Sequence, residues 1–199
     1  MEVIDNKTIV LKTRRPHLVT DKIKNSKVIG QEADMYKVAV KWGFNEAEAL
    51  AEAGATNVPS PIKRDYEWTG KLTPFDHQKE TSSFLTLHKK SFCFNEAGTG
   101  KTASVIWAAD YLMKLGRVKR VLVICPLSIM KSAWQQDLFK FAMHRSCSVA
   151  HGASAARRKI IDAGSEFVII NFDGVAVVKD TIMAGGFDLI VVDEANAYK

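Results

Sequence analysis

The sequence lacks the features that mark secreted, zinc-binding and membrane-spanning proteins. Its three cysteines, Cys93, Cys125 and Cys147, include no pair at the C-x-x-C spacing of a redox or metal site. No signal peptide opens the chain, and no apolar run approaches the length that a bilayer requires. Internal repeats and low-complexity tracts are missing too. These absences predict reduced thiols, no membrane partner and a cytoplasmic location.

What is present is an ordinary globular composition with a mild excess of positive charge. Hydrophobic residues make up 47% of the 199 residues, which is enough for one packed domain and a small appendage. The formal net charge is +6. This charge suits an anionic partner but does not identify one.

A change of sequence pattern near residue 70 divides the chain. We predict a small α+β accessory module over residues 1–70, with about three strands and a linker at Pro59–Pro61. Its first thirty residues carry seven lysines and arginines against three acidic residues. Two interpretations fit this excess equally well: the module contacts nucleic acid, or its basic face is a solvated surface of a docking module.

Residues 71–199 alternate between strand and helix patterns. The predicted strands are short Val/Ile-rich runs, which indicates that both of their faces are covered, as in a parallel α/β sheet flanked by helices. These strands are predicted at Phe92–Phe94, Val121–Cys125, Ser148–His151, Phe167–Asn171 and Leu189–Asp193.

A glycine-rich turn joins the first of these predicted strands to a predicted helix. Gly98 and Gly100 can adopt backbone conformations that direct their N–H groups at phosphate oxygens, beside the positive end of the helix dipole. Lys101 adds a positive charge near the outer phosphates, and the Thr102 hydroxyl is suited to the Mg²⁺ that accompanies a nucleoside triphosphate. The predicted phosphate-binding residues are Ala97, Gly98, Thr99, Gly100, Lys101 and Thr102. Asn95 stands where the usual pattern begins with glycine.

An acidic pair follows the last predicted strand. Carboxyl ends of parallel strands meet at one edge of a sheet, where ligands gather. Asp193 is therefore predicted to bind Mg²⁺, and Glu194 is predicted to act as a general base. An acidic pair in this position can also be a helix cap, and its pairing with the glycine-rich turn favours catalysis.

A further element precedes the glycine-rich turn. Gln78 ends the run Leu72–Gln78, and its amide can both donate and accept hydrogen bonds in one plane, which matches the edge of adenine. On its own, Gln78 would be interpreted as a surface helix residue.

Together these motifs resemble the first RecA-like domain of superfamily-2 helicases, in the Swi/Snf-like branch of DNA-dependent ATPases. The matching segments are Phe75–Gln78, Asn95–Thr102, Cys125–Ser128 with Trp134, and Asp193–Asn196. Asn196 replaces the histidine that is common in the family, a departure that concerns the coupling of hydrolysis to DNA.

The resemblance implies an ATP and Mg²⁺ site in which Gln78 contacts adenine, Lys101 the phosphates, and Asp193 with Glu194 the metal and the attacking water. It also implies duplex DNA as the partner, contacted through the backbone. The residues assigned to that contact by the resemblance are Pro126, Leu127, Ser128 and Asn171.

The chain stops six residues after Asp193, which predicts a fragment or half of a split enzyme that lacks a second RecA-like domain. The expected function is an ATP-driven translocase in the full-length protein, with this chain alone weakly active or inactive. A true unwinding helicase acting on branched DNA or RNA is the alternative, because it shares every motif. A non-catalytic nucleotide- or DNA-binding module is a further alternative for this chain alone.

Overall fold

The computed structural model describes residues 1–194 and divides the chain into two compact units. The first unit consists of Met1–Glu67 and Lys79–Phe94. The second consists of Trp68–Gln78 and the chain from Asn95 onward. Asn196 lies outside the described residues, so the consequence of its departure from the family motif stays a prediction.

The first unit is built on an antiparallel sheet with strand order β1-β2-β4-β3. Its fully buried residues include Ile9, Val38 and Val40, which alternate with outward-facing residues as the sequence pattern predicted. The sheet has four strands, one more than we predicted. The strands are β1 (Glu2–Ile4), β2 (Thr8–Thr13), β3 (Ser26–Glu32) and β4 (Met35–Lys41). The helices of this unit are α1 (His17–Thr20), α2 (Phe44–Glu52) and α3 (Ile62–Asp65), together with most of α4 (Asp76–Leu87), whose first three residues belong to the second unit.

The second unit contains a parallel four-stranded sheet, which confirms the predicted α/β fold. Its strand order is β6-β7-β5-β8, and every neighbouring pair is parallel. All residues of β5 and β7 are buried, as expected for strands covered on both faces, whereas residues of β8 alternate between half-buried and exposed. The strands are β5 (Val121–Cys125), β6 (Cys147–Ala150), β7 (Phe167–Asn171) and β8 (Leu189–Val192). The helices are α5 (Lys101–Lys114), a π-helical turn (Met130–Gln135), α6 (Gln136–Phe141), α7 (Ser154–Asp162), α8 (Phe172–Val177) and α9 (Lys179–Ala184).

The predicted strand Phe92–Phe94 is wrong. No strand forms there, and the side chains of Phe92 and Phe94 are 78% and 89% exposed. Their rings stack on each other with centroids 5.8 Å apart. An apolar run becomes a strand only when another strand satisfies its backbone N–H and C=O groups. In the described sheet, β6, β7, β5 and β8 pair among themselves and not with this segment.

An ion-pair network connects α5 to the beginnings of β6 and β7. Arg145 donates at 2.6 Å to Asp110, a fully buried carboxylate of α5, and at 2.6 Å to Glu166. Glu166 also accepts the Ser146 backbone N–H at 2.8 Å. A buried carboxylate requires such partners, so this network fixes how the helix meets the sheet.

All three cysteines are free thiols, and Cys125 is buried within β5. None of the helices formed by residues 1–194 has the length and apolar character needed to span a bilayer.

Candidate nucleotide-binding site

The segment Asn95–Thr102, called here the phosphate loop, depends on two glycines with left-handed backbone. Gly98 has φ +77° and Gly100 has φ +75°. A residue with a Cβ atom adopts this conformation only at a cost of about 1–2 kcal/mol. A Cβ atom on Gly98 would meet nothing within 4 Å, whereas one on Gly100 would overlap the Nε2 atom of Gln78. The loop is therefore open at Gly98 and packed at Gly100.

Lys101 and Thr102 form the first turn of α5, as predicted. The Lys101 Nζ atom donates to the carbonyl oxygens of Asn95 at 2.8 Å and Glu96 at 2.9 Å, which folds the loop around the lysine head group. Both acceptors are main-chain oxygens, so the contact with Asn95 does not require a particular side chain at that position. Lys101 forms no hydrogen bond with Asp193 or Glu194, all three of which are described.

Gln78 packs directly on the phosphate loop. Its side chain is only 9% exposed, its Oε1 atom accepts the Phe75 N–H at 3.0 Å, and its Nε2 atom donates to the Thr99 carbonyl at 3.2 Å. The His77 Nε2 atom lies 3.0 Å from the same carbonyl. The sequence pattern placed Gln78 near adenine but did not reveal this support of the loop.

Asp193 follows β8 and is held by a tryptophan. Its backbone N–H donates to Ile124 at 2.9 Å, which extends the pairing of β8 with β5. One carboxylate oxygen accepts the indole N–H of Trp134 at 2.9 Å, and the other accepts the Glu194 N–H at 3.0 Å. Trp134 is 1% exposed and lies in the π-helical turn. Sequence reasoning used Trp134 only as part of the family resemblance, and its contact with Asp193 is a tertiary feature.

The thiol of Cys125 lies beside this carboxylate. Burial, together with the negative charge of Asp193, raises the pKa of Cys125 to about 12. The thiol therefore stays protonated at neutral pH and contributes no charge to the site.

The candidate nucleic-acid residues lie at the carboxyl edge of the parallel sheet. Cys125 and Asn171 are directly opposite each other in β5 and β7, so the loop Pro126–Ser128 and Asn171 share an edge with Asp193. Leu127 is 55% exposed, and Ser128 is also exposed.

Asn171 differs from this exposed loop because its side chain is buried. It is only 6% exposed, and its Oδ1 atom accepts a hydrogen bond from Arg157 at 2.8 Å. Arg157 also donates to the Ala150 carbonyl at 2.8 Å, so it links the ends of β6 and β7. Arg157 was not identified from the sequence, because nothing in a basic helical run distinguishes a structural arginine from a solvated one.

Comparisons with known proteins agree with this architecture. A family model described as SNF2-related domain matches residues 67–199. The protein p41 of Acyrthosiphon pisum secondary endosymbiont phage 1 is 26% identical over 133 residues, which cover 64% of this chain and 29% of that protein. The ISWI chromatin-remodeling complex ATPase ISW2 of Saccharomyces cerevisiae is 27% identical over 141 residues, which cover 66% of this chain and 12% of that protein.

Two solved structures have the same fold. The Sulfolobus solfataricus SWI2/SNF2 ATPase core in complex with dsDNA superposes with a TM-score of 0.56 at 27% identity, covering 65% of this chain and 28% of that one. The Sulfolobus solfataricus SWI2/SNF2 ATPase core domain superposes with a TM-score of 0.54 at 25% identity, covering 66% and 28% of the two chains. This chain thus spans less than a third of each of these four proteins. It belongs to the SNF2-related family, and the matched residues 67–199 correspond to the first RecA-like lobe of a Swi/Snf-type ATPase core.

Proposed function

We propose that this chain is the ATP-binding lobe of a motor that couples ATP hydrolysis to movement along duplex DNA. The observation that carries the proposal is the phosphate loop. Two left-handed glycines there precede the first turn of α5, which contains Lys101 and Thr102. Membership of the SNF2-related family supports the same reaction.

The residues present fit a nucleoside triphosphate. The open space beside Gly98 admits a phosphate group that a Cβ atom would obstruct. The positive end of the 14-residue helix α5 favours an anion, and Lys101 supplies a compensating positive charge. A phosphate oxygen would replace the carbonyl oxygens of Asn95 and Glu96 as the acceptor of the Lys101 hydrogen bonds.

Thr102 and Asp193 are the proposed protein ligands of Mg²⁺. No group of three His, Cys, Asp or Glu side chains in residues 1–194 is placed to hold a metal ion, so a metal would need further ligands from the triphosphate. When bound, Mg²⁺ would neutralise negative charge that develops on the phosphate oxygens. The Trp134 indole N–H would hold one Asp193 oxygen so that the carboxylate keeps a fixed orientation.

Glu194 is the proposed general base, and its exposed side chain would accept a proton from the attacking water at a carboxylate oxygen. Gln78 is proposed to contact adenine as well as to support the loop at Thr99.

Duplex DNA is the proposed track of the motor. The similar Sulfolobus core has been solved in complex with dsDNA. The proposed contacts are Pro126, Leu127 and Ser128, at the carboxyl edge of the sheet, and Asn171, which would exchange its hydrogen bond from Arg157 for one to DNA. An exposed loop that presents hydroxyl and N–H groups can bind phosphates without reading bases, so we expect no sequence preference.

Turnover is proposed for a protein that also contains a second RecA-like lobe, in the same chain or in a separate one. The matched relatives are several times longer than the matched region, which leaves room for such a lobe. An arginine supplied across an ATP site can raise the rate by about 10³–10⁵-fold. We therefore expect this chain alone to bind Mg-ATP weakly and to hydrolyse it slowly.

Lys101→Ala tests the phosphate site in this chain. We expect at least a tenfold loss of affinity for a non-hydrolysable ATP analogue with Mg²⁺, because the variant removes the charge that faces the phosphates. Titration calorimetry measures the affinity, and circular dichroism confirms the fold. Lys119→Ala, which removes an exposed lysine just after α5, is the matched control. Equal affinities of Lys101→Ala and the unmodified chain would refute the assignment.

Glu194→Gln tests catalysis in a protein that includes the second lobe. ATP binding should persist while DNA-stimulated hydrolysis stops, because an amide cannot accept the proton from water. Residual hydrolysis at the original rate would exclude Glu194 as the base. The unmodified protein with both lobes should displace a protein from linear duplex DNA without separating its strands, and Glu194→Gln should not. Unwinding of a forked duplex by the unmodified protein would favour the helicase alternative.

A further inference from the structure

A cleft on the antiparallel sheet of the first unit is lined by four lysines. We call it the lysine cleft and define it by Lys7, Lys24, Lys27 and Lys41. Its volume is about 380 Å³, and Thr8 and Ser26 also line it. All of the lining residues lie in the first unit and outside the part of the chain that matches the SNF2-related domain.

Strand pairing brings two of these lysines, Lys27 and Lys41, to one face of the sheet. The central strand β4 lies between β2 and β3, and it places Lys41 opposite Thr8 and Ala39 opposite Lys27. Opposite residues in an antiparallel pair point to the same face of the sheet. The other face buries Ile9 and Val40 in the core. Lys27 and Lys41 therefore project from the solvent face, at the end of the sheet where β2 and β3 begin.

The basic residues at the other end of the same sheet already form ion pairs with carboxylates. Lys12 and Lys37 both pair with Glu32, the first at 2.9 Å. Hydrogen bonds from Lys37 and Lys12 lower the pKa of Glu32 to about 2, so the carboxylate stays ionised at neutral pH. Arg14 pairs in the same way with Asp34 at 2.8 Å.

The lysine cleft lacks such compensation. Within residues 1–194, none of its four lysines forms an ion pair. A carboxylate does bind one lining residue, since Glu46 accepts the Asn25 side-chain N–H at 2.6 Å, but Glu46 itself does not line the cleft. Four positive charges around a small concave surface attract a ligand with more than one negative charge.

The chemistry of the lining selects a backbone rather than a base. Lysine binds phosphate as a point charge and does not supply the planar fork with which arginine recognises guanine. In the described part of the chain no aromatic side chain lines the cleft, so a base has no surface on which to stack. Ammonium donors around a concave surface are typical of contacts with phosphodiester oxygens.

We propose that the lysine cleft binds the phosphodiester backbone of duplex DNA and gives the chain a second, sequence-independent contact outside the motor lobe. The choice of DNA as the source of these phosphates rests on the proposed function. The structure thereby distinguishes among the basic residues of the N-terminal region: those in the cleft contact DNA, and those paired with Glu32 and Asp34 do not.

The test compares two double variants of the whole chain that remove the same charge from the same sheet. Lys27→Gln with Lys41→Gln changes the cleft, and Lys12→Gln with Lys37→Gln is the matched control. Fluorescence anisotropy measures binding of a labelled duplex of about 20 base pairs over a range of salt concentrations. Each lost phosphate contact lowers the slope of log affinity against log salt by about 0.9, so the cleft variant should lose about 1.8. This loss corresponds to a decrease in affinity on the order of 50-fold at 0.1 M salt.

The controls separate this proposal from a general charge effect and from misfolding. The Lys12/Lys37 variant should keep the affinity and slope of the unmodified chain, and two duplexes of unrelated sequence should bind equally. Lys27→Arg with Lys41→Arg should retain binding, because it preserves the charges. Circular dichroism and thermal unfolding establish that each variant is folded.

Several results would overturn the proposal. They are unchanged DNA affinity in the cleft variant, equal losses in both glutamine variants, failure of the arginine variant to retain binding, or no DNA binding by the unmodified chain. Lysine-dependent binding of pyrophosphate or of phosphatidylserine vesicles without DNA binding would reassign the cleft and also overturn it. Affinity for the Mg-ATP analogue is measured on the same proteins. DNA binding that does not depend on the cleft lysines, with intact nucleotide binding, rejects this proposal alone, whereas an unmodified chain that binds no Mg-ATP analogue rejects the proposed function.

Discussion

At the scale of single residues, the two glycines of the phosphate loop are required for different reasons: backbone conformation at both, and close packing at Gly100 alone. Both have left-handed backbone, which the sequence spacing predicted. Only Gly100 is also packed against a side chain, that of Gln78. The beginning of α5 therefore depends on close contact between the loop and the segment that contains Gln78, and this dependence cannot be read from the motif alone.

Alanine substitution should separate the effect of backbone conformation from the effect of packing. Gly98→Ala should lower the free energy of unfolding by about 1–2 kcal/mol, the cost of left-handed backbone, and weaken nucleotide binding by filling the open side of the loop. Gly100→Ala should destabilise further, because the new methyl group also displaces a nearly buried amide. Urea denaturation and titration with the ATP analogue measure the two effects. Equal unfolding free energies for the two variants would contradict the packing argument.

The local structure around the candidate site residues was predictable from the sequence to the extent that local spacing determines it. The glycines, Lys101 and Thr102 lie in one short loop, so their relation follows from the motif. The contact between Trp134 and Asp193 joins residues 59 positions apart, and no local pattern encodes it. The roles of Gln78 toward adenine and of Glu194 toward water stay predictions.

At the scale of elements, burial on both faces made strands predictable. The bounds of β5 and β7 were predicted to the residue, because each is a fully buried run of mostly branched apolar side chains. Strand β3 was missed because its residues are mostly exposed and show no alternation. The run Phe92–Phe94 was predicted as a strand on its composition, and composition does not reveal whether a partner strand is available.

Arg145 links Asp110 of α5 to Glu166, which precedes β7, and we expect this link to weaken in acid. Burial raises the pKa of Glu166, but hydrogen bonds from Arg145 and Ser146 outweigh it, so the pKa lies below its usual value of 4.5. A carboxylate with a lowered pKa contributes stability that is complete above the unfolded-state value and is lost as pH falls through the folded-state value.

Glu166→Gln should therefore cost about 1–2 kcal/mol of unfolding free energy at pH 7 and progressively less below pH 4.5. Urea denaturation at pH 7, 5 and 3 measures this difference. Asp180→Asn, at an exposed aspartate that forms no ion pair within residues 1–194, is the control and should show a smaller and flatter difference. A Glu166→Gln effect that does not change with pH would show that charge is not its cause.

At the scale of the whole molecule, the compact units do not follow the order of the chain. Lys79–Phe94 belongs with Met1–Glu67, although it immediately precedes the phosphate loop. Ser60 explains part of this grouping. Its backbone N–H donates to Ser83 at 3.1 Å, and its hydroxyl lies 2.7 Å from that of Thr86, with all three residues buried. The boundary near residue 70 stays a prediction. Deletion of residues 1–70 would divide the first unit, so point variants are the better test of the lysine cleft.

A fragment consisting of residues 71–199 should be less stable than the whole chain. Removing Ser60 leaves the hydroxyl of Ser83 without its backbone donor and uncovers one side of α4. Thermal unfolding followed by circular dichroism should show a lower midpoint for the fragment. Ser60→Ala in the whole chain should cost about 1 kcal/mol and serves as the local comparison. An equal midpoint for fragment and whole chain would place the folding boundary at residue 70 after all.

The indole of Trp134 is an intrinsic fluorescent probe beside Asp193. It is one of four tryptophans, and its ring N–H is bonded to the carboxylate proposed to meet the metal. Indole fluorescence depends on the charge beside the ring, so a cation that binds Asp193 would change the emission wavelength and intensity of Trp134. We therefore expect cation binding at Asp193 to change the tryptophan fluorescence of the chain, and Trp134→Phe should abolish that change.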